Sequence, residues 1–506
     1  MRFSRLLVTA APAALAGLVV MWATATLGPG TEPDSAQYIC AAQSLLARGA
    51  MCDCGSTWPF IHFPPLYSVM LAAGIRLGIA PLTVGRFIAA GSCAASIFMM
   101  GLILEAATGS LLVALSGQFL MMWTVGISYV FLYAMSEPPF DLMLLLFVFY
   151  LSRAIGDERR RYLVAAAATA AGAALIRYVG VSLLATGAFA LLCLGPASLT
   201  SRIRRAALFL VVGATPVAAW FLRNRLETHS IGRPVSWHSP PGGYWLANFG
   251  MIARWFIPSL RGTRAYVFGV VLSLVLIAIL IGLEWTSTNS LEWLMVNLIV
   301  TYAATLLLTR SLMDATIFLN NRMMAPIALI ALMLVLFEIH RHLRRAGLAR
   351  ACAISLGIVV GLVVINSGST PSLVYQSRVG GLGCTRRDIS DSEMMRRLRD
   401  VPAEAPIYSD DPAPITLFGA HVADGLPLLR DPRSGAPSRR YAGELAAMQQ
   451  RLGQTAGVIA YFYLANRHSL DNIPTPADMP ATYQLSMRKV FDGFEGMIFE
   501  ARAPTR

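Results

Sequence analysis

Two acidic and three basic residues of this chain have types and positions that could do chemistry together. Asp34, in Thr31-Glu-Pro-Asp-Ser-Ala-Gln-Tyr38, directly follows a proline, a residue favoured at the first helical position. The peptide predicts a helix running through Leu46 with Asp34 in its first turn, where the helix dipole favours an ionised carboxylate. Held charged at a membrane interface, such a group suits a general base. Glu137, in Tyr133-Ala-Met-Ser-Glu-Pro-Pro139, and Arg177, in Leu175-Ile-Arg-Tyr-Val-Gly180, interrupt or end apolar runs. So do Arg223, with Asn224 and Arg225, and Arg322, with Asp314, Asn320 and Asn321 before it. Ionisable groups near lipid are costly and usually face a cavity or a partner. Two carboxylates and several guanidiniums at one depth suit the handling of a lipid-linked phosphate.

Each of these residues also has a structural reading. Arg223 and Arg225 could snorkel from a helix end. Asp314 and Arg322 could be an ion pair holding a loop. Glu137 could simply begin a helix before Pro138. Arg177 has apolar neighbours on both sides, which leaves its structural alternative the weakest. His62 and His238 lie in outer loops and are candidates for substrate contact, although such histidines more often serve packing. Trp237, Tyr244, Trp245 and Trp255 fit an aromatic interface belt or a surface for stacking a sugar ring.

These residues need a scaffold, and composition defines it. The chain of 506 residues is 56% hydrophobic and 14% charged, with mean hydropathy +0.58. Its apolar residues come in runs of about 18 or more, long enough to cross a bilayer core. A soluble globular protein is excluded. The net charge of +13 would suggest nucleic acid in a soluble protein. Here the arginines instead cluster in alternate loops: Arg2 and Arg5; Arg153 with Arg159–Arg161; Arg202, Arg204 and Arg205; Arg341, Arg344, Arg345 and Arg350. That is the positive-inside pattern, and it predicts no nucleic-acid partner.

Spans near 6–27, 83–104, 110–131, 137–152, 162–176, 178–195, 206–222, 265–283, 291–308, 323–339 and 351–367 put every cluster on one side. The pattern predicts an α-helical polytopic membrane protein with about eleven transmembrane helices, its amino terminus cytoplasmic and its carboxyl terminus outside. Residues 1–368 form the transmembrane part. Its first outer loop, 28–82, holds interfacial helices, the short apolar stretch Pro64–Gly78 among them. Residues 369–506 lose the long apolar runs and predict a small α/β domain outside the membrane. Expected strands are Ala405–Tyr408, Ala413–Phe418, Val458–Phe462 and Met497–Phe499; Asp391–Leu398 and Tyr441–Leu452 read as helices. Cys93, Cys193 and Cys352 fall in spans. Cys40, Cys52, Cys54 and Cys384 face an oxidising compartment, where the pair Cys52–Cys54 suits a disulfide with Cys40 or Cys384 better than a zinc site.

The order of these pieces resembles the GT-C fold glycosyltransferases, in particular the protein O-mannosyltransferase and lipid A aminoarabinose transferase branch. The matching residues are Pro33-Asp-Ser-Ala-Gln-Tyr38, Phe63-Pro-Pro-Leu-Tyr67, Ser136-Glu-Pro138, Ile176-Arg-Tyr178, Trp220 with Arg223-Asn224, and Asn321-Arg322 followed by Pro326. They span about residues 1–340 in the family's order. The resemblance implies a GT-C-like transmembrane catalytic domain that moves a sugar from a polyprenyl-phosphate carrier to a lipid, glycan or protein acceptor on the outer face of a bacterial inner membrane. It implies Asp34 as the catalytic carboxylate, Glu137 as the second acidic residue and Arg177 as a phosphate-binding residue, with Arg322 and Arg223 beside it. Tyr38, His62, Tyr67, Tyr178 and His238 become candidate substrate contacts.

Two departures limit the parallel. Asp34 is followed by Ser35 where the mannosyltransferases carry an Asp-Glu pair. Phe63 precedes Pro64 where the aminoarabinose transferase carries a Glu, which weakens the case for the same acceptor and for a metal site. The sequence names no cofactor: it requires no metal, and a divalent ion is the one that the resemblance leaves open. With a phosphate as leaving group, a single displacement with Asp34 as base inverts the anomeric centre. The rival class is a transporter or flippase of a lipid-linked or amphipathic solute. It calls for a polar site at the bilayer midplane and paired broken helices, whereas the charges here gather at the outer mouths.

Overall fold

A computed structural model gives the architecture: a long helical bundle with a five-stranded sheet at one end. It describes residues 3–503 apart from 158, 195–197, 230–234, 236, 241, 287–288, 315–316, 318, 346–356, 358–359, 362, 420, 432–436 and 464–471. The bundle is built from α1 (Phe3–Ala23), α2 (Pro33–Arg48), α3 (Leu66–Arg76), α4 (Pro81–Thr108), α5 (Leu111–Trp123), α6 (Val125–Ser128), α7 (Glu137–Asp157), α8 (Arg160–Ile176), α9 (Val181–Cys193), α10 (Leu199–Thr228), α11 (Tyr244–Phe256), α12 (Gly262–Thr286), α13 (Ser290–Leu312) and α14 (Asn321–Arg345).

Among the described residues seven helices are long and apolar enough to cross a membrane, or eight if the bent pair Leu111–Trp123 and Val125–Leu132 is one span. The chain is a multi-pass membrane protein. The expected count of about eleven is not reached, for identifiable reasons. Helix α8 has only 17 residues, and the run 178–195 is a shorter apolar helix, Tyr178–Cys193. The eleventh expected span, 351–367, lies largely outside the described residues. Within Pro64–Gly78 the chain forms a short helix, α3.

Small residues let the central helices approach closely, as bilayer packing requires. Ala166, Ala167, Ala170, Ala173 and Ala174 of α8 are wholly buried. The chain then leaves helical geometry at Arg177 (φ −145°, ψ 131°) and turns through a 3₁₀ segment, Tyr178–Gly180. Gly180 packs so tightly on α8 that a Cβ there would lie 2.4 Å from the Ala174 nitrogen. This break sets Arg177 at the bundle's sheet-bearing end.

The sheet has strands β1 (Ile407–Ser409), β2 (Asp424–Gly425), β3 (Gly457–Phe462), β4 (Ser486–Asp492) and β5 (Gly496–Arg502) in the order β2-β1-β3-β5-β4. β1 is parallel to β2 and β3, whereas β5 is antiparallel to β3 and β4. Three expected strands and both helices are present, the helices as Glu393–Arg399 and Tyr441–Gln454. Ala413–Phe418 is instead a helix, Pro412–Phe418: Asp411 caps it by accepting the Ala413 N–H at 3.3 Å, and Pro412 occupies its first turn. β4 was not expected from the sequence; it lies at the sheet edge and is exposed except at the half-buried Met487 and Phe491.

The sheet domain docks on the first long loop. The Cys384 N–H donates to the Thr31 carbonyl (2.9 Å), and the Thr31 N–H donates to the Leu382 carbonyl (3.3 Å). Gly383 (φ +59°) allows this approach, since a Cβ would lie 1.9 Å from the Thr31 oxygen. Cys54 pairs with Cys40 in a disulfide, one of the expected partners; Cys52 and Cys384 are buried free thiols.

Candidate active site

Helix α2 begins as its sequence demands. Pro33 takes the first turn, and the Glu32 N–H donates to Ser35 Oγ at 3.1 Å. Ser35 is buried and also donates to the Ala134 carbonyl (3.0 Å). The residue that departs from the family's acidic pair therefore ties the helix start to the segment before α7. Asp34, its neighbour, is left with about a third of its side chain exposed, 35%.

Four elements far apart in sequence converge there. Arg322, in the first turn of α14, donates from Nη2 to Asp34 Oδ2 at 3.0 Å and from Nε to Glu137 Oε1 at 2.8 Å. Arg177 Nη1 lies 2.5 Å from the same Glu137 oxygen and donates to Ser136 Oγ at 3.1 Å. Ser136 also accepts from the Tyr38 hydroxyl at 3.1 Å. Glu137 is 3% exposed with two guanidiniums on one oxygen, which meets the demand that a buried charge be paired. Asp34, Glu137, Arg177 and Arg322 thus form one network, and Asp34 is its most accessible carboxylate.

The remaining sequence candidates distribute around it. Tyr38 and Tyr67 meet edge to face, with ring centroids 4.9 Å apart. The Tyr178 hydroxyl donates to the Ile61 carbonyl (3.2 Å) and accepts from Trp220 Nε1 (3.0 Å). Arg223 donates to the Phe60 carbonyl at 3.0 Å and lies over the Trp220 ring. His62 Nδ1 is 3.7 Å from Asp53 Oδ2. Tyr178 and Arg223 thus bind the backbone of the 52–63 loop, while Arg177 and Arg322 hold Glu137. His238 is elsewhere: its N–H donates to the Ser311 carbonyl (2.8 Å), and its own carbonyl accepts from Arg310 (3.0 Å).

Other groups there were not singled out from the sequence. Ser136 bridges Tyr38 and Arg177, and its place beside Glu137 in Ser-Glu-Pro was the available signal. Burial pushes the Glu32 carboxyl above its ordinary range, with Arg322 opposing and Asp34, Glu137 and Asp411 reinforcing the rise. Asp411 belongs to the sheet domain, which brings its own carboxylate to this end. Asp141, one turn beyond Glu137, is wholly buried with no partner on either oxygen. Among the described residues no group of three or more His, Cys, Asp or Glu side chains is arranged to hold a metal ion.

The helical bundle carries the Asp34 network at the end on which the small sheet domain sits. Solved structures that resemble the chain include ArnT from Cupriavidus metallidurans bound to undecaprenyl phosphate: 15% identity, 96% of this chain and 97% of that one covered, TM-score 0.51. Another is the arabinofuranosyltransferase AftD from Mycobacteria, with 14% identity, TM-score 0.56, and 98% of this chain against 40% of that one. A third is the archaeal oligosaccharyltransferase AglB from Archaeoglobus fulgidus, in complex with an inhibitory peptide and a dolichol-phosphate. It has 13% identity and TM-score 0.50, over 90% of this chain and 69% of that one. No protein-family model matches the sequence, and no curated protein matches it. At these identities the likeness establishes the fold: this chain has the fold of the GT-C glycosyltransferases.

Proposed function

We propose that the chain is an inverting glycosyltransferase that moves a sugar from a polyprenyl-phosphate carrier to a lipid, glycan or protein acceptor. The observation that carries this reading is the pairing of a part-exposed carboxylate, Asp34, with a guanidinium, Arg322, that also grips the buried Glu137–Arg177 pair. A base and a phosphate holder are in contact before substrate arrives. The carriers named with the similar folds, undecaprenyl phosphate on ArnT and dolichol-phosphate on AglB, support the donor class. Residues 1–368 act as the catalytic part. In a bacterial inner membrane, with a cytoplasmic amino terminus, the reacting end faces outward together with the domain 369–506.

The donor phosphate draws Arg322 away from Asp34 and frees the carboxylate. The acceptor hydroxyl or amine then attacks the anomeric carbon from the face opposite the phosphate. Its proton passes to Asp34 as the new bond forms, while the carbon–oxygen bond to phosphate breaks and its electron pair stays on the phosphate oxygen. Arg177 and Arg322 hold that growing charge through charge-assisted hydrogen bonds. Glu137 holds the two guanidiniums on one of its oxygens. Tyr178 and His62 are the candidate sugar contacts nearest the network, with Tyr38 and Tyr67 packed behind it, Arg223 fixing the 52–63 loop and His238 lying elsewhere.

The test is Asp34→Asn in purified protein, supplied with a panel of polyprenyl-phosphate sugars and assayed for release of the carrier. Turnover should fall by about 10²–10⁴-fold with donor affinity retained. Near-normal turnover would remove the base from the mechanism.

A further inference from the structure

Two buried hydroxyls join the first outer loop to the carboxylate network, and the transfer steps use neither of them. Tyr38 lies on α2 one turn beyond Asp34 and is only 2% exposed. Three aromatic neighbours hold its ring: the centroids of Phe63 and Tyr67 lie 4.9 Å away and that of Phe60 lies 6.4 Å away. Phe60 is itself tied down. Its N–H donates to the Met51 carbonyl (3.0 Å), and its carbonyl accepts from Arg223 (3.0 Å). From this fixed ring the hydroxyl donates to Ser136 Oγ at 3.1 Å. Burial, with the charge of Asp34 adding to it, pushes the Tyr38 hydroxyl above its ordinary range, so it remains a donor.

Ser136 is wholly buried and accepts a second hydrogen bond, from Arg177 Nη1 at 3.1 Å. A serine oxygen has two acceptor lone pairs, and here both are taken. Arg177 needs such an anchor, because it stands where the chain leaves helical geometry. Its Nη1 is shared between Glu137 Oε1 and Ser136 Oγ, whereas Nη2 meets the Met323 thioether, a weak acceptor, at 3.0 Å. The Glu137 oxygen is also gripped by Arg322 and sets only one direction for Arg177. The second acceptor on Nη1 sets the plane. A guanidinium binds a phosphate as a rigid planar fork, so a plane fixed in advance is what makes it effective.

We propose that Tyr38 and Ser136 are positioning residues for Arg177: the packed ring places the phenol, the phenol fixes Ser136 Oγ, and Ser136 orients the guanidinium that holds the carrier phosphate. The phosphate role of Arg177 rests on the transferase reading; the hydroxyl relay adds to it a dependence on two side chains that touch no substrate. Tyr38 is on this account a support of the phosphate holder and not a contact to the sugar.

The test uses full-length protein in nanodiscs of uncharged lipid, titrated with undecaprenyl phosphate. Tyr38→Phe removes one hydroxyl and keeps the ring, and Ser136→Ala removes the link itself. Each should weaken binding by about three- to tenfold. The double variant should bind no more weakly than Ser136→Ala alone, because the tyrosine acts only through the serine. In an Arg177→Gln background, itself weakened by at least about tenfold, both substitutions should be silent. Arg177→Lys, which keeps the charge and lacks the fork, serves as that background if Arg177→Gln does not fold. Losses that add in the double variant, or that persist without Arg177, overturn the relay and put Tyr38 in contact with the ligand. Binding that depends on Arg177 but is indifferent to Tyr38→Phe and Ser136→Ala overturns the relay alone. If the wild-type protein does not bind undecaprenyl phosphate, the transferase reading fails and takes the relay's phosphate role with it.

Discussion

Helix α14 carries an ionic network at each end, and the two are built differently. At one end Arg322 of α14 joins Asp34 of α2 and Glu137 of α7, with Arg177 from the break after α8. At the other, Arg341 of α14 pairs with Glu292 of α13 and with Glu338 three residues back on its own helix. Elsewhere, Arg5 of α1 reaches Glu105 of α4 at 3.2 Å. The second network links neighbouring helices and leaves its guanidinium, 31% exposed, on the surface while the Glu292 carboxylate is buried. The first reverses this, burying the guanidiniums and leaving a carboxylate open. A brace hides its acid and lets its arginine reach water; a site for transfer chemistry needs the acid accessible and the cations held in a dry, preorganised position.

The largest expected effect tests that reversal directly. Arg322→Gln removes the partner of Asp34 and one of the two on Glu137, so transfer should fall by about 10³-fold, measured as carrier release. Transfer within tenfold of the wild type would mean that Arg322 is a brace like Arg341. Glu137→Gln comes next. It leaves two buried guanidiniums without their shared acid, a change that costs about 3–5 kcal/mol when one partner of a buried pair is removed. A lowered unfolding temperature, larger than that of Asp34→Asn, is the measurement. Arg341→Gln should lower stability by about 1–3 kcal/mol, because the Glu292 carboxylate loses a charged donor. Transfer per folded molecule should stay within about twofold of the wild type. A selective loss of turnover in that variant would erase the distinction between the ends.

Much of the reacting end was legible in the sequence, and for local reasons. Pro33 predicted the start of α2 and so the position of Asp34; the apolar flanks of Arg177 predicted a charge turned inward. What escaped was pairwise. Nothing local says that Arg322 spans the 288 residues back to Asp34, or that Ser136 joins Tyr38 to Arg177. Asp141 escaped because an acid one turn inside an apolar helix has no partner to mark it. The helix Pro412–Phe418 was misread although its signal was present: Asp411-Pro412 is a cap followed by a first-turn proline, and the apolar run after it resembles a short strand in composition alone. Where the apolar runs were short or interrupted, as at α8 and at Tyr178–Cys193, the count of spans also became uncertain, since length is the property that separates a crossing from a buried helix.

The sheet domain offers a smaller and pH-dependent contrast. Asp410, just after β1, is pushed up to about 7 by burial, with the Phe462 N–H donating to it at 2.9 Å. A carboxyl raised on folding binds its proton more tightly in the native state. Its contribution to stability is therefore present below the ordinary carboxylate range near 4 and is lost as pH rises through about 7. The full-length protein should lose thermal stability between about pH 4 and pH 7, and Asp410→Asn should flatten that slope. An unchanged slope would assign the titration to another group.

The smallest effect belongs to the exposed pairs of the same sheet. Arg488 on β4 donates to Glu500 on β5 with 76% and 52% of the two side chains open to solvent. Such pairs are screened by water and salt and must hold two long side chains in one geometry, so their net value is typically under about 1 kcal/mol. Arg488→Gln should shift the unfolding midpoint by less than Arg341→Gln does, and the shift should shrink further in high salt. The distance in that pair is as good as any at the reacting end. If its loss nevertheless matched that of Arg341, burial would not be what ranks these networks, and the contrast between a closed brace and an open site would need another cause.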